Sequence, residues 1–437
     1  MRIISCFTVV CLLAVSGWAQ PTSRQWNSEV TAGWNLGNQL ECAAPGQDGE
    51  STTISNPANA MDAETAWGNP KVTNAMIAAV KDAGFNAVRI PIRWQCHITD
   101  AATMAIDAAW LNRVKEVVGY CLDNGMKVII NTHHDKWLES RPTYYYQTNN
   151  NSKLAQLWTH IAEAFSDYDY DVAFAGTNEV HVPNAYNAPT PENLSVQNSY
   201  NQTFVNAVRA TGGKNLKRHL IVQTYDCDPD FGMYNGDFIV PTDIEGNGND
   251  YLSVEVHYYK PWEYCGSTAY YYWGTAYSGY GNIPTSNEQT MINAFQRMED
   301  IWDSQGLGII IGEWGVTDHW DKAINMNSIR KNITYYCKTL VSEARSRGFA
   351  TFVWDNNTFG NGQEKFGIFD RNNNMSLRAS WTLEGIQQGV QTGISDITVD
   401  RNTNDKSTRA FIKDGKVLIR KGDKTYNLLG QPIEVGQ

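Results

Sequence analysis

A four-part unit recurs along this chain and restricts its fold more tightly than any other feature: an amphipathic helix, a glycine, an apolar strand and a polar loop. Asn69-Pro70 reads as the start of one helix, with Asn as cap and Pro at the first helical position; Val72, Met76, Ala79, Val80 and Ala83 mark its buried face and Gly84 its end. The apolar stretch Ala87 to Ile92 follows. The next helix carries Leu111, Val114, Val117, Val118, Cys121 and Leu122 on one face, stops at Gly125 and gives way to Lys127 to Asn131. Further helices are expected around Leu154 to Phe165, Val196 to Ala210, Asn287 to Gln305, Ser328 to Arg347 and Leu377 to Gln388. The strands between them end near Glu179, Val222, His257, Glu313 and Trp354, and Ala32 to Asn38 supplies a first one. Ile309, Ile310 and Ile311 form an unbroken apolar run, the mark of a strand covered on both faces. Strands alternating with helices make a parallel sheet with right-handed crossovers, and eight such units close an α/β (β/α)8 TIM barrel. An open doubly wound sheet would want a Gly-rich phosphate loop after its first strand, and the chain contains no G-x-G-x-x-G.

The two ends of the chain have a different character. Residues 1–19 read as a signal peptide: Arg2 is the charged start, Ile3 to Val15 the apolar stretch and Gly17-Trp18-Ala19 the small-residue cleavage region. That stretch is too short for a stable membrane span, so we expect a secreted protein without membrane insertion. The barrel is assigned to residues 20–392, and 393–437 to a linker and small β-rich tail in which Ala410 to Ile419 alternates as short strands. The tail resembles C-terminal tails on secreted proteins of some Gram-negative bacteria. A net charge of -11 excludes a nucleic-acid surface, which must be basic. Cys42, Cys96, Cys121, Cys227, Cys265 and Cys337 remain after the signal; none has C-x-x-C spacing, and some are expected to be free and buried. A monomer needing no cofactor and no metal is expected.

In such a barrel the active site lies at the C-terminal ends of the strands. Those ends deliver Asn38, Arg89 to Trp94, His133-His134, Asn178-Glu179, Gln223 to Tyr225, His257 to Tyr259, Glu313-Trp314 and Trp354-Asp355 to one rim. Two carboxylates on one rim suit the hydrolysis of a glycosidic bond, one protonating the leaving oxygen while the other attacks or stabilises the anomeric carbon. Their environments must differ. Arg89 or a tyrosine hydroxyl beside Glu313 would keep it anionic; Glu179, with no cation partner in view, would hold its proton. Trp354 and Trp314 offer flat faces for a pyranose ring.

Seven motifs then fall in order along residues 28–390: Gly33-Trp34-Asn35-Leu36-Gly37-Asn38, Ala66-Trp67-Gly68-Asn69-Pro70, Val88-Arg89-Ile90-Pro91, Asn131-Thr132-His133-His134-Asp135, Asn178-Glu179, His257-Tyr258-Tyr259 and Ile311-Gly312-Glu313. As a set they resemble glycoside hydrolase family 5, in particular bacterial endo-β-1,4-glucanases and xyloglucanases. The resemblance implies a retaining double displacement on a polysaccharide, with Glu313 as nucleophile and Glu179 as acid/base. It further implies that Asn178 binds the sugar 2-hydroxyl and that Tyr259 and Arg89 hydrogen-bond the nucleophile. His133 and His257 would hold the sugar and the acid/base, and Trp354 would be the platform. Asn38 and His134 complete the expected substrate-binding set. The chain departs from the family beside the acid/base, where Val180 and His181 follow Glu179 in place of the usual proline, and Ala175 stands where relatives tend to be acidic.

Two other functions fit these residues less well. A metal-dependent hydrolase would want His-x-His on the first strand, which has no histidine. A non-catalytic polysaccharide-binding barrel would be expected to have lost one carboxylate. Among substrates, β-1,4-glucan comes first, with xyloglucan and β-mannan as alternatives.

Overall fold

The computed structural model describes residues 20–57, 60–185, 188–234, 238–319 and 325–395, together with backbone strands between 408 and 433. The expected signal peptide lies outside the described residues. Eight parallel strands close a barrel in chain order: β1 Gly33–Leu36, β2 Ala87–Ile90, β3 Lys127–Asn131, β4 Val172–Ala175, β5 Leu220–Gln223, β6 Leu252–His257, β7 Gly308–Trp314 and β8 Ala350–Asp355, with β8 returning to β1. The (β/α)8 reading therefore holds. No helix among the described residues is long and apolar enough to cross a membrane.

Side chains alternate across each strand, so odd and even positions face the barrel interior or the surrounding helices. On β7 Ile310 joins the interior, while Ile309, Ile311 and Trp314 join the outer layer under the helices. The register between β6 and β7 shifts just there: Ile311 pairs with Val256, but Glu313 pairs with His257. Gly312 is thus the extra residue of a β-bulge, which turns the Glu313 carboxylate inward. Only glycine fits, since a Cβ at 312 would collide with the buried Glu255 carboxylate.

The N-terminal end of the barrel is plugged by the helix Ser23–Glu29, started by a Thr22–Gln25 capping box. Trp26 and Val30 pack there against Ala87, Ile129, Ala173, Ala175, Ile221, Ile310, Ala350 and Phe352. Asn27 Nδ2 bonds Ser253 Oγ at 3.1 Å and the Ile309 carbonyl at 3.2 Å, fixing the plug to β6 and β7.

Three boundaries differ from expectation. The first barrel helix begins after Thr73, whose side chain caps Met76 N, and not at Asn69-Pro70. Asn69 instead ties rim loops together, donating to the Asn38 carbonyl at 2.6 Å and accepting from Asn357 at 2.7 Å. The third helix is Tyr144–Ala164, a turn-rich polar sequence at its start having hidden its first ten residues. Between β5 and β6, where the sequence assigns no helix, the described residues hold a 3-10 turn, Tyr225–Cys227, and the short helix Pro229–Met233. The last helix is Ser380–Ser395, because Ser376–Leu377 pairs with Phe369–Asp370 as a two-residue ladder. The expected tail strands form a four-stranded antiparallel sheet, Thr408–Lys413, Lys416–Lys421, Lys424–Asn427 and Pro432–Ile433. All six described cysteines are buried and free.

Candidate active site

Arg89, fully buried on β2, is the hub of the C-terminal end. Its Nη1 donates to Glu313 Oε1 at 2.8 Å and to Asn35 Oδ1 at 3.0 Å, and its Nη2 to Asn178 Oδ1 at 2.8 Å. Its Nε stands 2.8 Å from Glu255 Oε1, a charge contact off the hydrogen-bond axis. One guanidinium thus joins four strands or strand ends. A fork of fixed donors does this where a lysine could not.

Glu313 accepts a second bond, from Tyr259 Oη at 3.2 Å, so cation and hydroxyl flank it as expected. The expectation that Glu179 has no cation partner fails, while the implied contact with His257 is present. Its Oε1 lies 2.6 Å from His257 Nδ1, so it does have a basic partner. The same nitrogen is 3.7 Å from Glu313 Oε2, and His257 Nε2 is 3.5 Å from Glu255 Oε1. Burial alone would lower the His257 imidazole, but Cys227, Glu313 and Glu179 around it hold it well above its ordinary value. Burial pushes the Glu313 carboxyl up against the pull of His257 and Arg89. Burial would raise Glu179 too, yet the His257 bond keeps it below the usual carboxylate range. Glu255, tied to Arg89 and to Gln223 Nε2 at 2.7 Å, is held down to about 2 despite its burial. The 2.6 Å contact requires a hydrogen between His257 Nδ1 and Glu179 Oε1.

Glu179, His257 and Glu313 each offer an atom within 4.8 Å of the others, the spacing of a metal site. A divalent ion there would face the Arg89 guanidinium across Glu313 and would have to displace the His257 to Glu179 hydrogen bond. The donor set suits protons better.

Rings cluster beside these groups. His133 stacks with Trp354 at 5.9 Å and 8°, meets His134 edge-on at 4.4 Å, and His134 leads to the partly exposed Trp67 at 6.1 Å. His133 is held neutral, first by burial and then by its cationic neighbours. Trp354 lies against the rim because Gly37 has no side chain; a Cβ there would be 2.8 Å from the indole. Asn38 is partly exposed in a left-handed conformation (φ 56°), its N–H held by the Glu41 carboxylate. Trp314 is a correction. It is buried in the outer layer and offers no exposed face.

Asn35, Glu41, Gln223 and Glu255 were not assigned roles from sequence. Ser253, Glu255 and His257 stand at alternate positions of β6, and that polar period of two within Leu-Ser-Val-Glu-Val-His was the available signal for Glu255.

Comparison with known proteins agrees with this geometry. The pattern of the family described as Cellulase (glycosyl hydrolase family 5) matches residues 47–360. Endoglucanase A of Paenibacillus barcinonensis is 32% identical over 383 residues, 85% of this chain and 90% of that protein. A Bacteroides ovatus GH5 xyloglucanase in complex with a XXXG heptasaccharide superposes with a TM-score of 0.75 at 31% identity, covering 86% of this chain and 78% of that one. A family 5 xyloglucanase from Paenibacillus pabuli gives 0.74 at 34% identity, covering 84% and 100%. The chain is a glycoside hydrolase and belongs to glycosyl hydrolase family 5.

Proposed function

We propose that the protein is an endo-acting β-1,4-glucanase that cleaves with retention, Glu313 attacking the anomeric carbon and Glu179 serving as acid and then base. The observation that carries this reading is the closeness of the two carboxylates, which offer oxygens within 4.8 Å of each other. Retaining pairs stand about 5–5.5 Å apart, whereas inversion needs roughly 6.5–9.5 Å to admit a water between them. The relatives support the substrate class: they are named endoglucanases and xyloglucanases.

Charge balance shows how the cluster can work. Three glutamates, Arg89 and one proton shared by His257 and Glu179 sum to one negative charge. When that proton passes to the leaving oxygen, Glu313 loses its own charge by bonding to the sugar, and the sum is unchanged. A buried site that keeps its net charge avoids a desolvation cost at the transition state. Water then attacks the glycosyl ester, Glu179 takes its proton, and the starting state returns. Asn178, fixed by Arg89, would meet the sugar 2-hydroxyl, and Trp354 with His133 would carry the ring.

Xyloglucan is the second reading, favoured because two similar solved structures are xyloglucanases. Hydrolysis of carboxymethyl-cellulose, xyloglucan and β-mannan run side by side separates the substrates. A 2-fluoro-cellobioside inactivator is expected to label Glu313; a label on another residue would overturn the roles. Residues 1–19 and the composition suit export, and we propose a secreted monomer acting on polysaccharide.

A further inference from the structure

The turn after β5 has no part in the scheme above, yet it grips the loop that carries Glu179 along its length. Cys227 Sγ donates to the Asn178 carbonyl at 3.4 Å. Asp226 N donates to the Val180 carbonyl at 3.0 Å. Tyr225 Oη accepts from Val182 N at 2.9 Å. His181 Nδ1 stands 2.8 Å from the Glu179 carbonyl oxygen and 3.1 Å from Asp226 Oδ1, and two acceptors at one nitrogen require that it carry the hydrogen. The turn takes an uncommon shape to do this. Asp226 and Cys227 are both left-handed, at φ 56° and 48°, and neither is glycine. Consecutive left-handed non-glycine residues persist only where surrounding contacts impose them.

These contacts act at the residue where the chain lacks its own restraint. Val180 follows Glu179, so no proline ring fixes the backbone beside the carboxylate. We propose that Asp226 and His181 are positioning residues that set the depth and angle of the Glu179 carboxyl for proton transfer. The inference rests on the acid/base reading of Glu179. His181 is placed for this by charge as well as by geometry. It is influenced by Glu179, by Asp226 with Asp228 behind it, and by Glu50 from the long rim loop, and its own N–H bonds the Glu139 carbonyl at 3.0 Å. Burial would lower its imidazole, but the bond and charge of Asp226 raise it to about 9, so it is cationic at neutral pH.

The test compares two leaving groups on the full-length enzyme. Cleavage of cellotetraose expels a sugar alkoxide, a poor leaving group that needs the proton, whereas 2,4-dinitrophenyl β-cellobioside expels a stable phenolate that does not. Asp226→Asn keeps the size and tolerates the left-handed backbone while removing the charge. We expect it to lower kcat/KM on cellotetraose about 10²-fold, as a misplaced catalytic group does, with KM nearly unchanged. On the dinitrophenyl substrate kcat/KM is expected to stay within about 3-fold, since the general-acid contribution of about 10²–10⁴ is not called on there. Equal losses on both substrates, or no loss on either, would overturn the proposal. His181→Gln is read in the same way if Asp226→Asn does not fold. Glu179→Ala with azide tests the underlying reading separately: failure of azide to restore activity on the dinitrophenyl substrate would remove Glu179 from its role, whatever Asp226→Asn does.

Discussion

The two ends of the barrel interior are made of opposite materials. At the N-terminal end Trp26, Val30, Ala87, Ala173, Ile310 and Phe352 fill the space with hydrocarbon, and their burial is favourable by roughly 25 cal/mol per Å² removed from water. At the C-terminal end Asn35, Arg89, Asn178, Glu255, His257 and Glu313 are nearly as buried but polar. Taking such charges out of water costs about what their mutual attraction returns, so this end adds little net stability. The same eight strands build both ends. The difference shows that one end can hold the fold while the other is held by it, and chemistry needs the second condition.

Three measurements can break that division. Arg89→Met should have the largest effect, because it strands Glu255 and Glu313 without their shared cation. We expect kcat to fall by at least about 10³-fold. Removing one partner of a buried pair should also destabilise by about 3–5 kcal/mol, read by denaturant unfolding. Phe352→Ala comes next, with a similar loss of about 3–5 kcal/mol from its cavity but kcat within about 2-fold for the enzyme that remains folded. If kcat fell as far as in Arg89→Met, the two ends would not be separate. The smallest effect is on pH. Glu255 and Glu139 are both held near 2, below their unfolded value, so the stability they contribute is present above about pH 4.5 and lost as pH falls toward 2. Tm should therefore drop in that window, and Glu255→Gln should flatten the drop. An unchanged acid limb in that variant would mean that Glu139, not Glu255, governs acid unfolding.

The sequence carried the barrel plainly because its signal is repetitive: glycines such as Gly84 and Gly125 punctuate helices, and apolar runs such as Ile309 to Ile311 recur. The two glutamates stood out because each ends such a run. What stayed hidden depends on which chain segments meet. The residues alone give Glu179 no basic partner, because His257 is 78 residues away in sequence; only the family resemblance places His257 on the acid/base, and barrel closure brings their atoms to 2.6 Å. Trp314 looked like a sugar platform because it adjoins Glu313, but neighbours on a strand point to opposite faces. The start of the helix at Tyr144 was hidden by asparagines and tyrosines with no apolar period, since tertiary packing supports that turn.

The bulge at Gly312 has a consequence for how such an enzyme can vary. Along a regular strand, odd and even numbers decide which side chains meet the helices and which meet the ligand. Gly312 resets that count once, so the packing phase of Ile309 to Ile311 and the inward phase of Glu313 are set independently. Outer-layer residues can then drift with the helices they touch without moving the carboxylate. A frame slip of one position at this glycine, by contrast, would present the helices with a charge and the sugar with a blank wall, though every other residue of the barrel stayed in place.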